Sequence, residues 1–156
     1  LSERFNLVLD GTLYYGAGFG DTDVLPFYEN FYAGGIRTVR GYDRNSLGPR
    51  DSRDDPVGGN VRLLGRAELR FPLSLEDEAG NLRLSTFIDG GQVWDTERAN
   101  VDEYGDINTS DVRYSAGVGL VYYSPIGPLT TSVARPLNDE EGDDTQFFQF
   151  TIGAFF

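Results

Sequence analysis

Apolar and polar side chains alternate with a period of two along most of this 156-residue chain. Between residues 5 and 19, Phe5, Leu7, Leu9, Leu13, Tyr15, Ala17 and Phe19 fall on one face, with Asn6, Asp10, Thr12, Tyr14, Gly16 and Gly18 on the other. That is the period of a strand with one apolar and one polar face. Residues 61–71 repeat it, with Val61, Leu63, Gly65, Ala67, Leu69 and Phe71 against Arg62, Arg66, Glu68 and Arg70. In 82–94, Leu82, Leu84, Thr86 and Ile88 oppose Arg83, Ser85 and Asp89. In 112–123, Val112, Tyr114, Ala116, Val118, Leu120 and Tyr122 oppose Arg113, Ser115, Gly117 and Gly119. A fifth strand is predicted near 128–135, and a sixth has Phe148, Phe150, Ile152, Ala154 and Phe156 on one face.

The pattern predicts six strands and no helix, joined by long, short, long, short and long connections. Four of the strands run to eleven residues or more, enough to cross a bilayer, which takes about 9–11 tilted residues. Long outer loops alternating with short turns mark outer-membrane barrels, and a charged stripe on a barrel strand lines the watery lumen. Aromatic residues gather at the strand ends. Phe19, Trp94, Phe147 and Phe148 are expected at the outer interface, and Phe71, Tyr122, Tyr123, Phe155 and Phe156 at the inner one. A soluble β-sandwich alternates as well, but its strands are commonly near five or six residues and its apolar faces stack on each other. The expected fold class is therefore all-β, a transmembrane antiparallel β-barrel. Six strands are fewer than the eight of the smallest bacterial single-chain barrels, so the first and last strands have edges that must pair with something.

The segment 20–57 breaks the alternation. It is rich in Gly, Pro and Asp, yet carries Phe27, Tyr28, Phe31, Tyr32, Ile36, Val39 and Tyr42. Connections of this length are uncommon unless functional or disordered, and that density of apolar side chains needs a surface to cover. The loop is expected to fold into a cavity, which makes Arg40 a buried cation in need of an acidic partner.

Composition narrows the function. The chain holds 13 basic and 25 acidic residues, for a formal charge of −12, which argues against a nucleic-acid partner. Seventeen of the acids lie in 51–55, 76–78, 95–111 and 139–144, all assigned to loops or turns. With neither Cys nor His, thiol chemistry and the commonest metal ligand and general base are missing. No apolar run reaches the length of a membrane helix, and no nucleophile elbow is present. The acidic runs Asp51–Asp55 and Asp139–Asp144 do not follow the EF-hand spacing and are expected to be solvated outer loops. The glycines of 16–20 lack the helix start of a nucleotide fingerprint and are expected to make room for the large loop. No enzyme activity, metal or cofactor is expected.

Several runs resemble the BamA family of outer-membrane insertases. Phe27–Gly35 followed by Val39, Arg40, Gly41 and Tyr42 is similar to that family's loop six. Val57–Asn60, Val93–Thr96, Ser124–Leu129 and the closing run from Gln146 to Phe156 follow in the family's order. The resemblance implies that 1–156 is the C-terminal part of one barrel domain, strands eleven to sixteen of a sixteen-stranded barrel. The N-terminal strands and periplasmic POTRA domains would then lie outside this sequence. No signal peptide precedes Leu1 and the chain starts in mid-pattern, which also predicts a piece of a longer protein.

The implied activity is insertion and folding of β-barrel proteins in the bacterial outer membrane, without a chemical energy source. The implied partners are the lipoproteins of the Bam complex, unfolded outer-membrane clients and outer-membrane lipid. Val39-Arg40-Gly41-Tyr42 alone is shared with TamA and the two-partner-secretion transporters, so a transport pore of that superfamily is the alternative; a porin or adhesin is a third. In BamA-like proteins the motif arginine contacts an acid on each of two wall strands, and Glu68 and Asp89 occupy those positions. Alternatively, the two acids pair along the lumen wall with Arg62, Arg66 or Arg83. The closing strand, with Phe148, Phe150, Ile152, Gly153 and Phe156, resembles a β-signal and the seam at which client strands are thought to join by β-augmentation. Gly153 interrupts its packing and is expected to ease bending.

Overall fold

The computed structural model describes residues 5–21, 23–73, 81–97 and 107–153. Six strands form one antiparallel sheet in sequence order: β1 (Asn6–Tyr15), β2 (Val61–Pro72), β3 (Leu82–Trp94), β4 (Arg113–Ser124), β5 (Gly127–Pro136) and β6 (Phe148–Ile152). Each strand pairs with its chain neighbour, Arg66 standing opposite Asp89 and Ser132 opposite Gln149. The only helical pieces among the described residues are two single 3-10 turns, Phe27–Glu29 and Thr109–Asp111.

One face of the sheet is largely apolar and bare. Leu7, Leu9, Leu13, Ile88, Val118, Phe150 and Ile152 are all exposed, Leu9 by 72%. Soluble proteins rarely expose apolar surface on this scale, and among the described residues no second sheet covers it, which removes the sandwich. The other face is buried although it is polar. Glu68, Ser85, Phe87, Asp89, Ser115, Ser132, Ala134 and Gln149 are all buried there, because the large loop lies across them. The hydrophobic core therefore sits between loop and wall: Ala33, Val39, Tyr42 and Leu47 from the loop meet Val93, with Leu64 beside them.

The loop is a hairpin held by backbone bridges. Phe31 pairs with Gly59, Ala33 with Leu47, and Arg50 with Pro56. Asn60 ties its base to the next connection, donating from Nδ2 to the Gly16 carbonyl (3.1 Å) and accepting from the Thr96 amide (2.8 Å). Thus the Val57–Asn60 and Val93–Thr96 runs meet in space.

Four expectations need correcting. β1 ends at Tyr15 rather than near 19. The Leu25 side chain fills the space a Gly16 side chain would need, and the Glu97 carboxylate accepts from the Gly18 and Leu25 amides. Trp94 does not join an exposed aromatic girdle; it is 6% exposed against Val61 and Val112. Tyr123 stands on the concave side beneath Arg83, 5.2 Å from guanidinium carbon to ring centroid. Phe27 and Tyr28 do not enter the cavity; both are 73% exposed and contact each other edge to face. The β2–β3 turn and residues 154–156, including Phe156, lie outside the described residues.

Candidate functional site

The loop tip turns on Gly41, whose φ of +90° is a conformation L side chains rarely adopt. A Cβ there would lie 3.1 Å from Ala134 Cβ and 3.4 Å from Ser115 Cβ, so the tip rides directly on the wall. On either side Val39 and Tyr42 are fully buried, each such apolar side chain contributing about 1.5–3 kcal/mol on leaving water.

Arg40 is 6% exposed and Asp89 0%. The guanidinium engages Asp89 side-on, Nε donating to Oδ2 at 2.6 Å and Nη2 to Oδ1 at 2.8 Å. The Arg40 backbone amide also donates to Asp89 Oδ2, at 3.1 Å. Nη2 reaches Glu68 Oε2 at 3.2 Å. A two-pronged pair of this kind fixes direction as well as distance. The face of the guanidinium lies 3.3 Å from the ring centroid of Phe87, a desolvated cation–π contact.

The wall arginines share the same acids. Arg66 Nε donates to Asp89 Oδ1 at 3.0 Å and its Nη2 to the Thr38 carbonyl at 3.1 Å. Arg70 Nε donates to Glu68 Oε1 at 2.8 Å. The two pairings weighed from sequence therefore coexist, as three arginines divide two carboxylates. Arg62 takes neither acid; it donates to the Tyr32 carbonyl and stacks over Tyr14.

A second joint was not anticipated. The acidic run after β5 is not simply solvated. Arg113 binds Asp143 at 2.6 Å and Glu140 at 2.9 Å, and Arg50 of the loop binds Asp144 at 2.9 Å. The Asp43 amide donates to the Asp144 carbonyl and the Gln146 amide to the Gly41 carbonyl. From β6, Gln149 Nε2 donates to the Tyr42 carbonyl at 2.7 Å. Burial pushes the Tyr42 phenol well above its ordinary range, with the Asp143 charge adding to it. Burial acts to lower the Arg50 pKa, but the Asp144 bond and charge outweigh it and leave it raised.

Of the predicted site residues, Val39, Arg40, Gly41, Tyr42, Glu68 and Asp89 come together at this seat. Phe148, Phe150 and Ile152 lie on the exposed side of β6, and Gly153 ends that strand at a φ of +110°. Phe87, Arg70 and Gln149 escaped the sequence reading. Phe87 carried a signal, an aromatic in the inward phase between Ser85 and Asp89. Among the described residues no group of three acids is arranged to hold a metal ion.

Residues 1–156 match the Omp85 superfamily domain. The chain is 38% identical over its full length to outer membrane protein assembly factor BamA of Neisseria meningitidis serogroup B, covering 22% of that protein. It is 33% identical to BamA of Nitratidesulfovibrio vulgaris over 97% of this chain and 18% of the relative. The sorting assembly machinery 50 kDa subunit of Saccharomyces cerevisiae is 28% identical over 82% of this chain and 27% of its own length. A crystal structure of BamA from Haemophilus ducreyi lacking POTRA domains 1–3 superposes with a TM-score of 0.81 at 34% identity. It covers 96% of this chain and 31% of that one. The chain spans about a fifth of the length of the curated relatives it matches.

Proposed function

From the premise that this chain belongs to the Omp85 superfamily, we propose that it is the C-terminal wall of a BamA-type insertase of the bacterial outer membrane. The reading rests above all on one observation: the inward-folded loop is seated by Arg40 on Asp89 and Glu68, behind an outer face dominated by exposed apolar side chains. The remaining strands of a sixteen-stranded barrel and the POTRA domains belong to the rest of the protein. Its partners are Bam-complex lipoproteins, unfolded barrel clients and outer-membrane lipid.

The physical logic lies in the sheet edges. In hydrocarbon an unpaired backbone group costs several kcal/mol, so a weakly closed strand such as β6 is under pressure to pair. An incoming client strand satisfies that edge by β-augmentation, and its own alternation turns its apolar side chains toward lipid. No bond is made or broken, so no catalytic residue is required; the work comes from pairing and burial. The Phe27–Gly35 run and the assembly-factor relatives favour this reading over a transport pore.

Reconstitution at full native length in liposomes tests it. The protein accelerates folding of an added barrel client, and Arg40→Ala lowers that acceleration. Wild-type liposomes that show steady conductance or substrate export, with no gain in client folding, refute the proposal.

A further inference from the structure

Three consecutive residues at the loop tip reach five strands. Arg40 binds Glu68 on β2 and Asp89 on β3. Gly41 lies against Ser115 of β4 and Ala134 of β5. The Tyr42 carbonyl accepts from Gln149 of β6, and the Gly41 carbonyl from the Gln146 amide just before that strand. Four inter-strand spacings of about 4.8 Å each, about 19 Å of wall, separate the two outermost strands that this segment and its side-chain partners tie together.

The far end of that span is the strand with least to hold it. Among the described residues β6 has 5 residues, against 10–13 for the other five strands. Its Phe148, Phe150 and Ile152 point away from the loop and are more than half exposed. Gln149 points the other way and is 4% exposed. Its Nε2 donates to Tyr42 O and, at 3.3 Å, to Gln146 Oε1. Its Oε1 has no hydrogen-bond partner among the described residues, and neither does Ser132 Oγ on the facing strand. An amide buried with its acceptor unused forfeits part of what its donor gains. The joint therefore holds β6 without welding it.

We propose that Arg40-Gly41-Tyr42 is a strut across the concave face, and that Gln149 is the positioning residue joining the last strand to it. Seating Arg40 then sets where β6 lies, and releasing either end frees the edge strand. The use of that freedom to admit a client rests on the insertase reading above; the mechanical coupling does not.

Hydrogen–deuterium exchange on the protein at full native length in lipid nanodiscs tests the coupling directly. Gln149→Leu removes the donor and keeps the bulk, and Gln149→Glu keeps the shape. Each speeds exchange of the β5-bonded amides of Phe148–Ile152 at least tenfold and leaves β2–β4 at wild-type rates. Arg40→Ala, at the other end, also speeds those β6 amides. The double variant Arg40→Ala/Gln149→Leu is no faster at β6 than the faster single one, because one strut is broken either way. Unchanged β6 exchange in both Gln149 variants overturns the proposal. So does a double variant whose acceleration is the product of the two singles. These rates need no client, so a protein that fails to fold clients removes the insertase reading and leaves the strut to be judged alone.

Discussion

Asp89→Asn is the most informative single change at the lock. The native carboxylate accepts four hydrogen bonds, three from Arg40 and one from Arg66, and is wholly buried. Asparagine keeps the volume, so no cavity contributes, but leaves three arginines facing only Glu68. Removing one partner of a buried pair costs about 3–5 kcal/mol, because the other charge stays behind unpaired. Glu68→Gln is the control. It loses one bond of 3.2 Å to Arg40, and its other partner, Arg70, has a side chain 42% exposed that turns to water freely. Its cost is expected at about 1.5–3 kcal/mol, the loss of a charged hydrogen bond. At 1.36 kcal/mol per factor of ten, Asp89→Asn speeds amide exchange at the loop tip by about two to nearly four decades, and Glu68→Gln by about one to two. The assay is exchange over residues 38–46 of the full-length protein in nanodiscs. Equal effects of the two substitutions, or tip protection untouched by Asp89→Asn, would falsify the idea that Asp89 carries the lock.

Gly91→Ala is expected to push the tip outward, since its Cβ would lie 2.8 Å from both Val39 Cγ2 and Leu64 Cδ2. Overpacking of that kind costs about 1–3 kcal/mol, and tip exchange rising by one to two decades checks it. The raised Tyr42 pKa favours the neutral phenol in the fold. Its stabilisation is complete below the ordinary value of 10.0 and is lost as pH climbs above it. Wild-type tip protection is therefore expected to fall in alkali more steeply than that of Tyr42→Phe, compared by exchange corrected for intrinsic rates. In the loop after β5, Asp143→Asn is expected to loosen residues 138–147 more than Asp144→Asn. The Asp143 side chain is 16% exposed and Asp144 57%, and exposed ion pairs are worth about 0–1 kcal/mol. Limited proteolysis of that loop ranks the two.

The sheet was legible because a period of two declares itself residue by residue, and the strand starts at Val61 and Leu82 fall where alternation resumes. The seat of the loop was legible only through its motif, since alternation turns Glu68 and Asp89 inward without saying which arginine each takes. Sharing depends on register: Arg66 stands opposite Asp89, which local pattern does not reveal. Trp94 misled because phase tells which way a side chain leaves the strand and not what lies over it. At Gly16 the alternation runs on in the text while the chain peels off to seat Leu25. Gln149 stayed hidden between two phenylalanines, its meaning set by a carbonyl 107 residues away.

The fit between hairpin and wall is closed to a single methyl group. A Cβ at Gly41 meets Ala134, one at Gly91 meets Val39, and one at Gly117 meets the Phe87 ring that backs the guanidinium. Two halves matched so closely must be changed together to keep that contact. Grafting residues 27–57 from a distant relative should therefore yield a barrel with its hairpin stranded outside. Transplanting positions 87, 91, 117 and 134 along with it should bring the hairpin home.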